Sequence, residues 1–212
     1  MVTFLVLAIL VVLLGVVLMQ LLKKQPAPAA APNPPDLANL KVTDARVGDV
    51  LSIAGAGDNL TDLDFSADRL THFEAGAHHW SELSGPYRER RVALRIAEEE
   101  EVQTALHSDP RPLSLEDLGL AEEDLAQMDE RQNPADSFEF DNKVWLYRRS
   151  REAQSWRDGQ AQAARFYYWE FQEQDGKGLL AIRKAEGEPF AVTLFTEIPA
   201  GDVTVYRGSA AS

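Results

Sequence analysis

The chain has 212 residues, no cysteine and a formal net charge of −13. Without cysteine there is no disulfide, no thiolate metal site, no cysteine nucleophile and no lipoprotein attachment cysteine. An acidic surface is repelled by phosphate, which argues against nucleic acid as a partner and against direct docking of the domain on anionic lipid.

Residues 2–22, VTFLVLAILVVLLGVVLMQLL, contain no charged side chain and run straight into Lys23 and Lys24. As a helix, a run of this length crosses the roughly 30 Å hydrocarbon core of a bilayer. A cleaved signal peptide has a positive start, a shorter apolar core and a small-residue cleavage site directly after it. Here no Lys or Arg precedes the run, and two lysines separate it from the following alanines. The expectation is an uncleaved single-pass anchor over residues 1–24. The lysine flank favours the cytoplasmic side, which places the globular domain in the cytoplasm, at a bacterial inner membrane. Residues 25–40 form a Pro/Ala-rich linker, with five prolines in its first eleven positions. Prolines prevent helix and favour an extended spacer, and at about 3.1 Å per residue it reaches up to about 50 Å. Since residues 1–24 hold two lysines and no acid, the remainder carries −15.

Residues 41–208 are expected to form one β-rich domain. Residues 46–53, RVGDVLSI, are expected as a short early strand. Gly55-Ala56-Gly57 lacks the third glycine of a dinucleotide loop. Asp58, Asn59, Asp62 and Asp64 lack the spacing of a calcium loop, because Leu60 and Leu63 interrupt them. His72, Glu74, His78 and His79 offer imidazole and carboxylate groups suited to zinc. Their spacing is not a zinc signature, and in a strand His78 and His79 point to opposite faces.

An internal repeat follows. VALRIAEEEEVQTAL (92–106) aligns without a gap to LAIRKAEGEPFAVTL (180–194), with identities at Ala93/Ala181, Arg95/Arg183, Ala97/Ala185, Glu98/Glu186, Glu100/Glu188 and Leu106/Leu194. Trp80 and Trp169 precede the two copies at nearly equal distance. Such self-similarity points to duplication, with the tryptophans in equivalent places, each beside its own hairpin and against Leu94 or Ile182. Propensity alone makes 96–106 helical. However, Gly187 and Pro189 break the second copy, and Val92, Leu94 and Ile96 alternate, so both copies are expected as hairpins with Glu98 to Glu101 as a solvated turn.

Residues 113–130 change character. Ser114 can cap a helical turn that Gly119 ends, and a second acidic helix starts at Leu120 or Ala121, with Leu120, Leu125 and Met128 for packing. Residues 138–149 are two alternating runs joined by Asp141-Asn142, a two-residue hairpin turn. Residues 165–172, RFYYWEFQ, are strand formers, and 202–206 are a last strand. The fold class is therefore mostly β: two pseudo-repeated antiparallel units, about 44–110 and 136–206, flank a helical insert at about 113–130 and follow one transmembrane helix.

The chain also resembles a bacterial family known only as domain of unknown function number 4178. The matching residues are Val47-Gly48-Asp49, Trp80-Ser81-Glu82-Leu83, Arg91 to Ile96, Leu115 to Leu120, Phe138 to Tyr147 and Phe166 to Phe171. They cover roughly residues 44–206. The resemblance implies bacterial origin and a β-rich, often membrane-anchored protein; it carries no activity and no catalytic residue.

No GxSxG elbow or other catalytic constellation stands out, and no cofactor is assigned. The expected role is a non-enzymatic adaptor or sensor that binds a protein partner at the cytoplasmic face. Tyr167, Tyr168 and Trp169 are the candidate protein-binding residues, since Tyr and Trp serve as interface anchors. The alternative is a small-ligand or metal-binding module, or a cryptic hydrolase, using His72 to His79. A topology reporter fused after Ser212 is expected to be active only on the cytoplasmic side. Recovery of a soluble periplasmic form starting near Ala29 or Ala30 would contradict this orientation.

Overall fold

The computed structural model describes residues 40–158, 160 and 162–208. The anchor, residues 1–24, and the linker up to residue 39 lie outside them. No helix among the described residues is long and apolar enough to cross a membrane.

Alternation of apolar and polar residues governs these elements. In chain order they are β1 (Val50–Ile53), β2 (Leu63–Ser66), β3 (Arg69–Ala75), β4 (His78–Tyr87), β5 (Arg90–Glu98), β6 (Val102–His107), α1 (Glu122–Arg131), β7 (Ser137–Phe140), β8 (Lys143–Arg157), β9 (Ala164–Glu173), β10 (Gly178–Lys184), β11 (Ala191–Ile198) and β12 (Val203–Tyr206). β3 to β6 form one antiparallel meander and β8 to β11 another. β6 pairs with β11, and β3 pairs with β8, so the eight strands close into a barrel. Closure removes the sheet edges that would otherwise invite aggregation. The halves are thus interlocked parts of one barrel rather than two independent β units. They are also narrower than 44–110 and 136–206, because β1, β2 and β12 form a separate three-stranded sheet and β7 adds to β8 outside the ring.

Residues 92–106 form the expected hairpin, with Glu98 opposite Val102 and the turn between them. The Asp141-Asn142 turn also forms, joining Phe140 to Lys143, with both turn residues at positive φ (53° and 59°). This is the backbone that a tight hairpin favours. The early strand is shorter than expected, because Val47 and Gly48 form a turn that the Asp49 N–H closes on the Arg46 carbonyl. The buried Asp49 carboxylate accepts from the Arg46 and Gly208 backbone N–H groups and pairs with Arg207 at 3.0 Å, tying the start of the domain to its end.

Period two divides the barrel strands into an inner and an outer face. The inner face carries Phe73, Trp80, Ala97, Ala105, Tyr168, Ala181 and Phe195, which fill the waist. The outer face carries Leu83, Val92, Leu94 and Ile96 in the first half, covered by Leu51, Ile53, Leu63 and Phe65 of the small sheet. Gly85 lies under that sheet; a Cβ there would stand 2.0 Å from the Ser66 carbonyl oxygen. In the second half Tyr147, Trp169, Phe171, Leu180 and Ile182 are covered by α1 and the segment before it, through Leu115, Leu118, Leu125 and Met128. Ala121 sits at the N-cap of α1, and its backbone N–H is taken by the Asp124 carboxylate.

The two tryptophans are not equivalent. Trp80 lies opposite Ala97 and faces inward, whereas Trp169 lies opposite Ile182 and faces outward under α1. With the hairpins aligned, Trp80 corresponds to Phe166, and Trp169 to Leu83. Trp80 is 15 residues before Arg95 but Trp169 only 14 before Arg183, and a one-residue difference moves a strand side chain to the other face. Both rings are nonetheless buried. Trp80→Ala and Trp169→Ala are each expected to cost about 3–5 kcal/mol, read from the shift of the urea midpoint relative to the parent chain.

Candidate functional site

The barrel has two mouths separated by the filled waist. One is a cavity of about 510 Å³ lined by Arg95, His78, Arg149 and Glu170, among others. The opposite one is a cavity of about 560 Å³ whose lining includes Arg183, Arg69 and Ser84.

At the first mouth the interior is a connected charge network. Arg95, on β5, is 5 % exposed in its side chain and donates to the Glu170 carboxylate at 2.7 Å, to the Tyr168 hydroxyl at 2.8 Å and to His78 Nε2 at 3.1 Å. Tyr168 in turn donates to Glu170 at 2.6 Å. Arg149 completes the clamp, its Nε lying 3.1 Å from the other Glu170 oxygen. A register shift between Tyr147 and Arg149 makes this possible, since it turns β8 so that Tyr147 packs outward and Arg149 inward. A bulge of this kind re-aims the side chains that follow it. Burial pushes the Glu170 carboxyl upward, but the Arg95 and Arg149 charges and the hydrogen bonds from Tyr168 and Arg95 outweigh it, and its pKa falls to about 2. Burial holds the His78 imidazole below its ordinary pKa, and the Arg149 and Arg95 charges add to this against Glu170 and Glu99. His78 Nδ1 lies 2.6 Å from Glu99 Oε1 but is poorly aligned for a hydrogen bond.

The second mouth is built differently. Arg183, on β10, donates to the Glu82 carboxylate, which also accepts from Trp80 Nε1 at 3.1 Å. Among the described residues the buried Arg183 Nε–H meets no acceptor. Arg69, Arg91, Arg157 and Arg165 line the same cavity, against Glu82 and Glu188 alone among acids. Arg91 pairs with Asp68, while Arg69, Arg157 and Arg165 have no carboxylate within 4.0 Å among the described residues. Phe73, Phe166 and Phe195 supply apolar wall. This combination of apolar wall and a few convergent charged donors is how small-molecule pockets are made.

The residues singled out from sequence fall elsewhere. His72 meets the Ser81 hydroxyl at 3.0 Å and tilts against Trp156, Glu74 lies opposite His79 in register, and His78 points into the first mouth. His72, Glu74, His78 and His79 therefore do not converge, and no group of three or more metal-ligating side chains is found among the described residues. Tyr168 is wholly buried inside the barrel, Trp169 is covered by α1, and the Tyr167 hydroxyl donates to Asp129 of that helix at 2.6 Å. Burial, reinforced by that carboxylate, pushes the Tyr167 hydroxyl up to about 12. Tyr168 and Trp169 are internal packing, while Tyr167 is half-buried and lines an outer groove. Sequence reasoning passed over Arg95, Arg183 and Glu170. The available signal was the identity of Arg95 with Arg183 at inward positions of the repeat.

Comparison with family models, with curated proteins and with solved structures finds no match to this chain.

The Glu170 clamp has a pH signature. A carboxylate held below its ordinary pKa of 4.5 stabilises the fold fully above about 4.5, and that contribution disappears as pH falls through about 2. Glu170→Gln is expected to cost about 3–5 kcal/mol near neutral pH, because it leaves the buried Arg95 guanidinium without its counter-charge. It is also expected to flatten the loss of stability on acidification, measured by urea titrations at stepped pH.

Proposed function

We propose that this chain is a membrane-tethered, non-enzymatic sensor whose barrel takes a small anionic molecule in the Arg183 mouth. The observation that carries the reading is five arginines against two glutamates around one 560 Å³ cavity in a chain of net charge −13. Isolated surface arginines are ordinarily neutralised by nearby acids. Concentrating them in a concave, partly apolar site focuses positive potential where a ligand enters, while the acidic remainder of the surface excludes polyanions and membranes. A volume of this size suits a ligand of small-metabolite dimensions.

This favours the small-ligand alternative over the adaptor reading, because the aromatic run that supported a protein-binding patch is spent on internal packing. It moves the ligand site from the His72–His79 region to the mouth lined by Arg69 and Arg183. The anchor and linker supply the location: the barrel stands off the cytoplasmic face of the membrane, where ligand occupancy is reported to other components. The resemblance to family 4178 supports the tethered, β-rich character and adds no activity.

With full-length protein in detergent micelles, phenylacetate and phenyl phosphate are expected to raise the melting temperature in a dose-dependent way, while the cation phenethylammonium is not. A shift of equal size with the cation, or none with either anion, would sink the proposal.

A further inference from the structure

The two mouths are counterparts under the internal duplication, and the comparison identifies the group that the second mouth receives. Glu170 on β9 stands in register between Arg149 on β8 and Ala181 on β10. Ser84 on β4 stands in register between Arg69 on β3 and Ala93 on β5. Ala93 aligns with Ala181 and Arg95 with Arg183 in the repeat. Ser84 is therefore the counterpart of Glu170, Arg69 of Arg149, and Arg183 of Arg95. The seams that close the barrel join like to like, β3 to β8 and β6 to β11, as a two-fold relation between the halves requires.

At the first mouth Arg95 comes from one half and Arg149 from the other, and together they hold the Glu170 carboxylate, through contacts of 2.7 Å and 3.1 Å. At the second mouth Arg183 and Arg69 occupy the corresponding positions on the cavity wall, and the residue in place of the glutamate is the half-buried Ser84. The two arginines recur in register, but no carboxylate stands at the position of Glu170. Glu82 engages Arg183 from the position that corresponds to Tyr168, one inward step along the strand from Ser84, so it does not take the place of Glu170.

Building on the anion-binding reading above, we infer that the ligand of the second mouth is a carboxylate-bearing small molecule, whose carboxylate sits beside Ser84 between Arg69 and Arg183 as the Glu170 side chain sits between Arg149 and Arg95. The protein's own interior is the template. A guanidinium pair accepts a planar two-oxygen anion with two or more charge-assisted hydrogen bonds. The Ser84 hydroxyl is small enough to leave the space that a glutamate side chain would fill, and it can donate to the same anion. Phe166, which corresponds to Trp80, offers apolar surface to the rest of the ligand.

The test restores the absent glutamate. In full-length protein in micelles, Ser84→Glu is expected to raise the melting temperature without ligand and to weaken phenylacetate binding at least tenfold, followed by fluorescence titration. Arg69→Gln, at an exposed side chain, is expected to keep the ligand-free melting temperature and to lose at least tenfold in phenylacetate affinity. The Arg69 variant decides the matter should Ser84→Glu fold poorly. If the parent protein binds phenylacetate and both variants bind it equally well, the carboxylate lies elsewhere in the mouth; the inference is then wrong although anion binding stands. If the parent binds phenyl phosphate but not phenylacetate, the carboxylate assignment is likewise overturned. If it binds neither, the functional reading itself fails.

Discussion

Two guanidinium groups inside an eight-stranded barrel have to be solvated by protein, and most of the interior is arranged to do so. Arg95 lies over the Trp80 ring at 4.6 Å, Trp80 stacks on Phe73 with centroids 5.0 Å apart, and Arg183 lies over Phe73 at 4.3 Å. The result is a column of guanidinium, indole, phenyl and guanidinium through the waist. Cation–π contacts strengthen when desolvated, yet they do not by themselves offset the cost of burying charge. Glu170 and Glu82 supply the counter-charges, one toward each mouth. The interior is therefore polar at both ends and aromatic between them, and a closed barrel is the architecture that can hold such a column away from solvent on every side.

That column explains which parts of the fold were legible from sequence. Val92, Leu94 and Ile96 alternate cleanly, and so the hairpin at 92–106 could be read against helix propensity. The same alternation makes Ala93, Arg95 and Ala97 look like a solvent face, whereas they line the barrel interior. A sheet covered on one face and closed on the other has no solvent face to read. Closure itself depends on β3 pairing with β8, strands far apart in the chain, and local pattern carries no information about such a partner. The β8 bulge, which brings Arg149 onto Glu170, is similarly silent in sequence. The tryptophan equivalence failed for a sharper reason: one residue of spacing separates the barrel interior from the layer under α1.

The acidic composition and the basic mouth are two parts of one arrangement. The repeat carries arginine at both inward positions, while a carboxylate, Glu170, stands beside one pair and Ser84 stands at the corresponding place beside the other. Duplicated halves of a barrel diverge most usefully where symmetry would otherwise fill both mouths. One mouth here is a structural lock, with His78, Tyr168 and Glu170 all engaging Arg95. At the other, Arg69, Arg157 and Arg165 have no carboxylate within 4.0 Å among the described residues, and this asymmetry is the physical basis for proposing ligand binding at that end.

All of this rests on the register at the seam where β3 meets β8. Glu74 and Gln154 are partners there and both line an outer groove. Because the chain has no cysteine of its own, a single introduced pair is unambiguous. Oxidising the Glu74→Cys/Gln154→Cys protein should give an intramolecular disulfide, mapped by peptide mass, while the offset pair Glu74→Cys/Glu152→Cys should remain reduced. Efficient crosslinking of the offset pair with none at 74 and 154 would shift the seam by two residues, break the correspondence between the mouths and contradict the account.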